Sequence, residues 1–105
     1  MANATVAFLN RDKMIEYYGT SAQSQLAKKH LKDSGNYADT RPISIDLEGL
    51  HGEDAAEELF DLTNNPSRYE ECVARCGKTR SLSVGDIVYV DHLTFVCCSF
   101  GWKEI

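Results

Sequence analysis

The sequence predicts one α+β domain, in which a small antiparallel sheet of about four strands packs about three helices against one face. Two patterns lead to this prediction. Runs rich in β-branched and aromatic residues occur near the start, in the middle and at the end of the chain, and stretches with helical spacing of apolar residues lie between them. A length of 105 residues is enough for one hydrophobic core and not for two, so residues 1–105 form a single domain.

The first two expected strands lie in the N-terminal half. The apolar stretch Ala4–Leu9 reads as an opening strand. A loop is expected over residues 36–42. Residues 42–47 then alternate apolar and polar side chains with a period of two and begin at a proline, which predicts an edge strand.

The C-terminal part predicts a β-hairpin. Residues 86–90 and Leu93–Cys98 are rich in β-branched and aromatic residues, and only Asp91 and His92 separate them. Histidine is a poor second turn residue compared with glycine, so a loop longer by one residue at each end stays open. A short last strand can follow the break at residues 99–102.

Helical spacing of apolar residues occurs in four regions. Short helical pieces are expected around residues 14–18 and 22–31. Residues 53–62 form the clearest helix, because acidic residues crowd its first turn, where the helix dipole favours them, and its apolar residues share one side. After Asn64-Asn65-Pro66, residues 67–70 match a capping box, and an apolar stripe follows it, formed by Tyr69, Cys72, Val73 and Cys76.

The composition is typical of an ordinary globular domain rather than a disordered chain, with 43% apolar and 26% charged residues. No apolar run approaches the roughly 18 residues that a membrane span requires. The N-terminal apolar run is too short for a secretory signal, and no basic residue precedes it. We therefore expect a cytoplasmic protein, away from membranes, in which the four cysteines are free thiols.

The net charge of −5 is concentrated in one segment. Residues 46–71 contain nine acidic residues and only one basic residue, Arg68, whereas the flanking segments are slightly basic. This distribution argues against binding of a nucleic-acid backbone by the middle segment. It permits a basic partner, although a solvated helix face accounts for it equally well.

The sequence Gly77-Lys78-Thr79 is not a nucleotide-binding loop. A phosphate-binding loop requires an earlier glycine, and Cys72 occupies that position. Such a loop also joins a strand to a following helix, whereas here the predicted order is helix, loop, strand. Gly77 instead stands where a helix ends with a residue of positive φ.

The cysteines and histidines do not predict a metal site or a nucleophile. Cys72 and Cys76 share a helix face with apolar residues, and adjacent residues Cys97 and Cys98 point to opposite sides of a strand. Buried cysteine as a small apolar residue therefore accounts for them better than zinc does. His51 lies close in sequence to the carboxylates of Glu53 and Asp54, and a solvated loop explains it. We expect no cofactor, no metal and no catalytic residue, which makes an enzyme the least favoured class.

Two surfaces are candidates for binding. The acidic residues of the clearest helix can meet a basic surface of another protein or can simply form its solvated face: Glu53, Asp54, Glu57, Glu58 and Asp61. The second candidate is a small-ligand or nucleic-acid site on the loop over residues 78–86. Whether a cleft exists between this loop and the corner at residues 64–68 is left undecided by the sequence. The candidate residues of this site are Arg68, Lys78, Arg80, Ser81, Ser83 and Asp86. Its few cations give only weak phosphate affinity, which does not favour nucleic acid.

The segments FDLTNNPSRYEE, RSLSVGDIVYVD and CCSFGWKEI resemble a family of small bacteriophage proteins and the YodL-like domain of conjugative elements. The resemblance covers residues 55–105, and it rests on Asn64, Asn65, Pro66, Arg68, Ser81, Ser83, Val84, Gly85, Asp86, Phe100, Gly101 and Trp102. Gly85 and Trp102 depart from the serine and phenylalanine of the YodL-like pattern. The resemblance implies an accessory gene of a mobile element and supplies no catalytic residue.

These observations together predict a non-enzymatic accessory protein of a phage or mobile element in a bacterial cell. It binds a host protein through the acidic helix and modulates that protein, in an anti-defence or host-takeover role. The alternative is the small-ligand or nucleic-acid-binding module that uses the loop over residues 78–86. The sequence leaves undecided whether the protein forms a homo-oligomer.

Overall fold

A computed structural model describes residues 4–43 and 49–105 of the chain. These residues fold into an α+β domain, as the sequence predicts, with five strands and four α-helices among them. In chain order the elements are β1 Ala4–Leu9, α1 Arg11–Tyr18, α2 Gln23–His30, β2 Tyr37–Ile43, α3 Glu53–Asn64, α4 Tyr69–Cys76, β3 Ile87–Val90, β4 Leu93–Cys98 and β5 Gly101–Glu104.

The five strands form one sheet with the order β2-β1-β3-β4-β5, and every neighbouring pair is antiparallel. β1 lies in the interior, where it pairs with β2 on one side and β3 on the other. The hairpin of β3 and β4 follows the predicted two-residue spacing. Asp91 and His92 both have positive φ, 54° and 63°, which is the backbone of a tight hairpin turn.

The expected loop over residues 36–42 is wrong, because Tyr37–Ile43 is β2 and pairs with β1. Its side chains are mostly polar and stay partly or fully exposed, so they lack the apolar run that marks a buried strand. Among the described residues β2 is the outermost strand, as predicted for an edge, and Pro42 is tolerated there because no described strand pairs with the other side of β2. The rest of the predicted strand, residues 44–47, lies outside the described residues.

The helices cover both faces of the sheet, so the prediction of helices on one face is wrong. α3 and α4 pack on the face that carries Val6, Phe8, Val88 and Phe95, among others. α1 and α2 contribute Tyr17 and Ala27 to a second cluster with Ala7, Leu9, Ile87 and Val96. The inner strands are apolar at nearly every position rather than at alternate positions, and such strands are buried on both faces.

The junction of α3 and α4 differs in detail from the prediction. The capping box at residues 67–70 is not formed. The Asn65 side chain instead accepts a hydrogen bond from the Ser67 amide at 3.0 Å, and residues Pro66–Arg68 make a single 3₁₀ turn before α4 begins. Asparagine is a strong cap, and proline fits the first helical position, so this pair starts the turn two residues earlier. α4 ends at Gly77 with φ of +74°, as expected.

Candidate functional site

Asp86 organises the loop that precedes β3. Its side chain is fully buried. One carboxylate oxygen accepts a hydrogen bond from the Leu9 amide at 2.8 Å, and the other accepts one from the Ser83 amide at 2.8 Å. Both oxygens also accept hydrogen bonds from Arg80, at 2.7 and 2.6 Å. All of these donors belong to the protein, so Asp86 is a structural residue and not an exposed ligand contact.

Arg80 fastens the same loop to β1. Besides its paired contact with Asp86, its guanidinium donates to the Leu9 carbonyl oxygen at 2.8 Å and to the Ser81 carbonyl oxygen at 3.0 Å. It also lies 4.9 Å from the centre of the Phe8 ring, close enough for a cation–π contact. The sequence analysis placed Arg80 and Asp86 in a ligand site. In the structure these two residues instead form a pair with each other. The position of Asp86 directly before a buried strand was the feature of the sequence that could have indicated a buried, structural carboxylate.

The C-terminal end of α3 holds the other side of the loop. The Ser81 hydroxyl donates to the Thr63 carbonyl oxygen at 2.7 Å, and the Leu82 amide donates to the Thr63 hydroxyl oxygen at 3.0 Å. The Asn64 side chain donates to the Leu82 carbonyl oxygen at 3.1 Å. The end of α3 and the loop therefore contact each other through hydrogen bonds between side chains and backbone, which fix the loop in place.

Arg68 is occupied by acidic residues of α3 and α4. Its guanidinium lies 2.9 Å from Glu58, 2.8 Å from Asp61 and 3.0 Å from Glu71. Its hydrogen bonds, first of all that to Glu71, raise the pKa of Arg68. The same contact lowers the pKa of Glu71. Arg68 therefore joins two helices and does not line the depressions beside the loop.

The acidic side of α3 is thus divided into two parts. Glu58 and Asp61 are both paired with Arg68. Glu53, Asp54 and Glu57 are exposed, and within residues 4–43 and 49–105 they form no ion pair. Three of the five predicted acidic contact residues therefore remain available to a partner.

A groove that the sequence analysis did not predict lies between α1 and the loop. We call it the α1 groove; its volume is about 740 Å³. One wall is formed by a stripe of α1 with helical spacing, Arg11, Met14, Ile15 and Tyr18, and the other walls are formed by Asn64, Arg80, Ser81, Leu82 and Ser83. Ile15 and Tyr18 are 72% and 66% exposed. The spacing of the stripe was visible in the sequence, but the sequence does not show which side of so short a helix meets the core.

A second depression lies between the loop and the α3–α4 corner, where the sequence left the existence of a cleft open, and we call it the corner cleft. Its volume is about 380 Å³. Pro66 and Tyr69 line it from the corner, and Lys78 and Thr79 line it from the loop. Of the residues predicted for a ligand site, the α1 groove contains Arg80, Ser81 and Ser83, and the corner cleft contains Lys78, Arg80 and Ser81.

Three of the four cysteines and His30 are buried in the interior of the fold. Burial, followed by the neighbouring Cys72, raises the pKa of Cys76 to about 11, and burial raises the pKa of Cys97 to about 12. The protonated thiol is therefore the dominant form at neutral pH, and it is a poor nucleophile. Buried His30 lies 3.1 Å from the Tyr17 hydroxyl. No group of three or more potential metal ligands is found in the described part of the chain.

Comparisons with family models, with curated proteins and with solved structures returned no match to this chain. Within the described ranges, no helix has the length and apolar character to cross a bilayer. The site therefore has to be interpreted from its own geometry.

Proposed function

We propose that this protein is a non-catalytic accessory protein of a bacteriophage or mobile element, and that it acts by binding a host protein in the bacterial cytoplasm. The observation that carries the binding proposal is the exposed apolar stripe of α1 beside the α1 groove. The phage or mobile-element origin is supported by the resemblance of residues 55–105 to small proteins of such elements.

The exposure of Ile15 and Tyr18 favours a protein partner. Single exposed apolar residues are common on protein surfaces, but here two large ones occupy successive turns of one helix and border a concave surface. Tyr17, which lies between Ile15 and Tyr18 in the sequence, is fully buried and holds the helix against the sheet. The stripe is therefore rigidly presented, and a partner that covers it removes apolar surface from water.

The acidic side of α3 remains the second proposed contact surface. Glu53, Asp54 and Glu57 carry uncompensated charge that a basic surface can meet. The proposal no longer includes Glu58 and Asp61 as direct contacts, because Arg68 holds both of them.

The alternative, a small-ligand module, is favoured by one observation. The volume of the α1 groove falls within the range of about 300–1,000 Å³ that ligand sites occupy. Arg80 and Asp86 nevertheless do not serve as its free polar groups, because they bind each other. Ser81 and Ser83 are the predicted residues that would contact such a ligand, whereas Lys78 lies in the corner cleft.

The test is affinity purification of tagged protein from nuclease-treated bacterial cells, with the wild type compared with an Ile15→Glu/Tyr18→Glu variant. A host protein that co-purifies in stoichiometric amount with the wild type and is lost with this variant supports the proposal. A Phe100→Glu variant is the matched control, because Phe100 is 98% exposed and lies outside both depressions. A Glu53→Lys/Glu57→Lys variant tests the acidic surface. Protein that elutes alone, or whose partners disappear with nuclease, contradicts the proposal.

A further inference from the structure

We infer that the α1 groove and the corner cleft together bind one acidic segment of the partner protein that carries apolar anchor residues. This inference rests on the proposed function and adds the chemistry of the partner. The two depressions adjoin, because Asn64, Arg80 and Ser81 line both of them. An extended segment can therefore run from α1 across these residues to the corner of α3 and α4.

The charges around the two depressions point to an acidic segment. The chain has 16 acidic residues and a formal net charge of −5. Yet none of the acidic residues in the described ranges lines either depression, whereas Arg11, Lys78 and Arg80 do. Asp86 compensates Arg80. Arg11 and Lys78 form no ion pair with any residue that the structure describes, so each is available to a carboxylate of the partner.

The apolar surface provides the anchor positions. Met14, Ile15 and Tyr18 offer one apolar wall in the α1 groove. Tyr69, 63% exposed, extends the apolar surface into the corner cleft. Aromatic and aliphatic side chains of this kind carry most of the binding energy at protein interfaces, while charged residues at the rim set orientation and specificity.

A peptide segment fits this surface better than nucleic acid does. A nucleic-acid site needs a continuous basic track, and each phosphate contact adds only a small salt-dependent gain. Here each depression has a single uncompensated cation, Arg11 in the α1 groove and Lys78 in the corner cleft. Carboxylates that alternate with apolar side chains match the cations and the apolar walls of the two depressions.

The experiment is selection of a randomised twelve-residue peptide library on the immobilised full-length protein, followed by titration of the most enriched peptide. We expect enriched peptides that combine Asp or Glu with large apolar residues. An Arg11→Glu/Lys78→Glu variant should bind the peptide about tenfold more weakly, because attraction becomes repulsion at two positions. Ile15→Glu should weaken binding by a similar or larger factor. A Lys28→Glu/Lys32→Glu variant has the same change in net charge outside both depressions and should bind normally.

Enrichment of basic peptides, unchanged affinity of the Arg11→Glu/Lys78→Glu variant, or tighter binding of a fifteen-nucleotide single strand than of any selected peptide overturns the inference. Its failure is distinguishable from failure of the proposed function. If Ile15→Glu/Tyr18→Glu loses the host protein while Arg11→Glu/Lys78→Glu retains it, the protein is still a host-binding protein and only the acidic chemistry of the partner is wrong.

Discussion

Arg80 and Asp86 show that the loop between α4 and β3 contains residues that stabilise the fold. Four hydrogen bonds converge on the buried Asp86 carboxylate, and two of them come from Arg80. The pair joins residues of the C-terminal half to the end of β1, more than seventy positions earlier in the chain. A charge in this position is tolerated only while its partner remains.

We predict that Arg80→Ala lowers the free energy of unfolding by about 3–5 kcal/mol, because it leaves a buried carboxylate with half of its donors. Urea unfolding followed by circular dichroism measures the change. Lys78→Ala is the matched control; Lys78 is an exposed cation of the same loop and should cost no more than about 0.5 kcal/mol. Equal effects of the two substitutions would show that Arg80 is not structural.

Gly85 is required by both conformation and space. Its φ is +92°, and a Cβ atom there would lie 2.6 Å from Leu9 Cδ2 and 3.0 Å from Tyr17 Cε1. The departure from the serine of the YodL-like pattern therefore has a physical reason in this chain, since any side chain at residue 85 would meet the core beneath α1.

Gly85→Ala should lower the free energy of unfolding by about 2–4 kcal/mol, through backbone strain and overpacking. Gly19→Ala serves as the comparison, because a Cβ atom at Gly19 meets nothing within 4 Å and its φ is −98°. Thermal unfolding of both variants checks this. A Gly85→Ala protein as stable as Gly19→Ala would contradict the packing described for the loop.

At the scale of elements, the Arg68 cluster connects α3 to α4. One guanidinium bridges Glu58 and Asp61 of α3 to Glu71 of α4, and thereby sets the angle of the corner that forms the corner cleft. The cluster is partly exposed, so its contribution is modest and depends on salt.

Arg68→Ala should lower the free energy of unfolding by about 1 kcal/mol at low ionic strength, and the difference from wild type should shrink in 1 M NaCl because salt screens the pairs. Lys28→Ala, which removes an exposed cation from α2, is the control. The pH dependence has a defined sign. Because the pKa of Glu71 is lowered in the folded state, its contribution is present above its ordinary pKa of 4.5 and is lost as the pH falls through the lower folded value.

That acid-dependent part of the stability should therefore be missing from the Arg68→Ala variant. Urea midpoints of both proteins between pH 6 and pH 2 test it. Curves that stay parallel throughout this range would show that the contact between Arg68 and Glu71 contributes nothing to folding.

The elements with strong apolar patterns could be predicted from the sequence, and the polar ones could not. Runs that are apolar at nearly every position identify β1, β3 and β4 in the sequence, and an acidic first turn identifies α3. β2 was not predicted, because the polar residues Asp39, Thr40 and Arg41 are typical of a loop. They form a strand because β1 provides their hydrogen-bond partners. The same runs that identified the inner strands also contained the information that both faces are buried.

The candidate site was predictable only in part, for a related reason. The spacing of charges along the chain suggested Arg68 and Arg80 as ligand contacts, but their partners are brought to them by the fold. In contrast, Lys78 lines the corner cleft and Ser83 lines the α1 groove. The α1 groove depends on which side of α1 faces the sheet, and a helix of eight residues carries too few positions to decide this from spacing alone.

Considered as a whole, the domain consists of a sheet between two apolar layers, each of which contains groups that must stay protonated. The pKa values of Tyr17 and Tyr37, on one side, are raised first of all by burial. Burial likewise raises the pKa values of Cys76 and Cys97, to about 11 and 12, on the other side. Ionisation of any of these groups opposes folding.

We predict that stability is nearly constant from about pH 7 to about pH 9 and then falls. Groups with raised folded pKa values stabilise the fold fully below their ordinary pKa, 9.0 for the thiols, and lose this contribution as the pH rises towards the folded values. Urea midpoints measured from pH 7 to pH 11 test this expectation. A Cys76→Ala/Cys97→Ala variant should lose less stability over this range than the wild type does; an equal loss would exclude the thiols as its source.

The measurement that tests the central claim most directly is photo-crosslinking inside bacterial cells, with a photoreactive amino acid placed at position 18, 57 or 100 of the full chain. If the protein acts by binding a host protein at the α1 groove, position 18 should give one dominant crosslinked product of defined mass, and position 100 should give none. No product from position 18, with or without crosslinks from position 57, would contradict the account of the α1 groove.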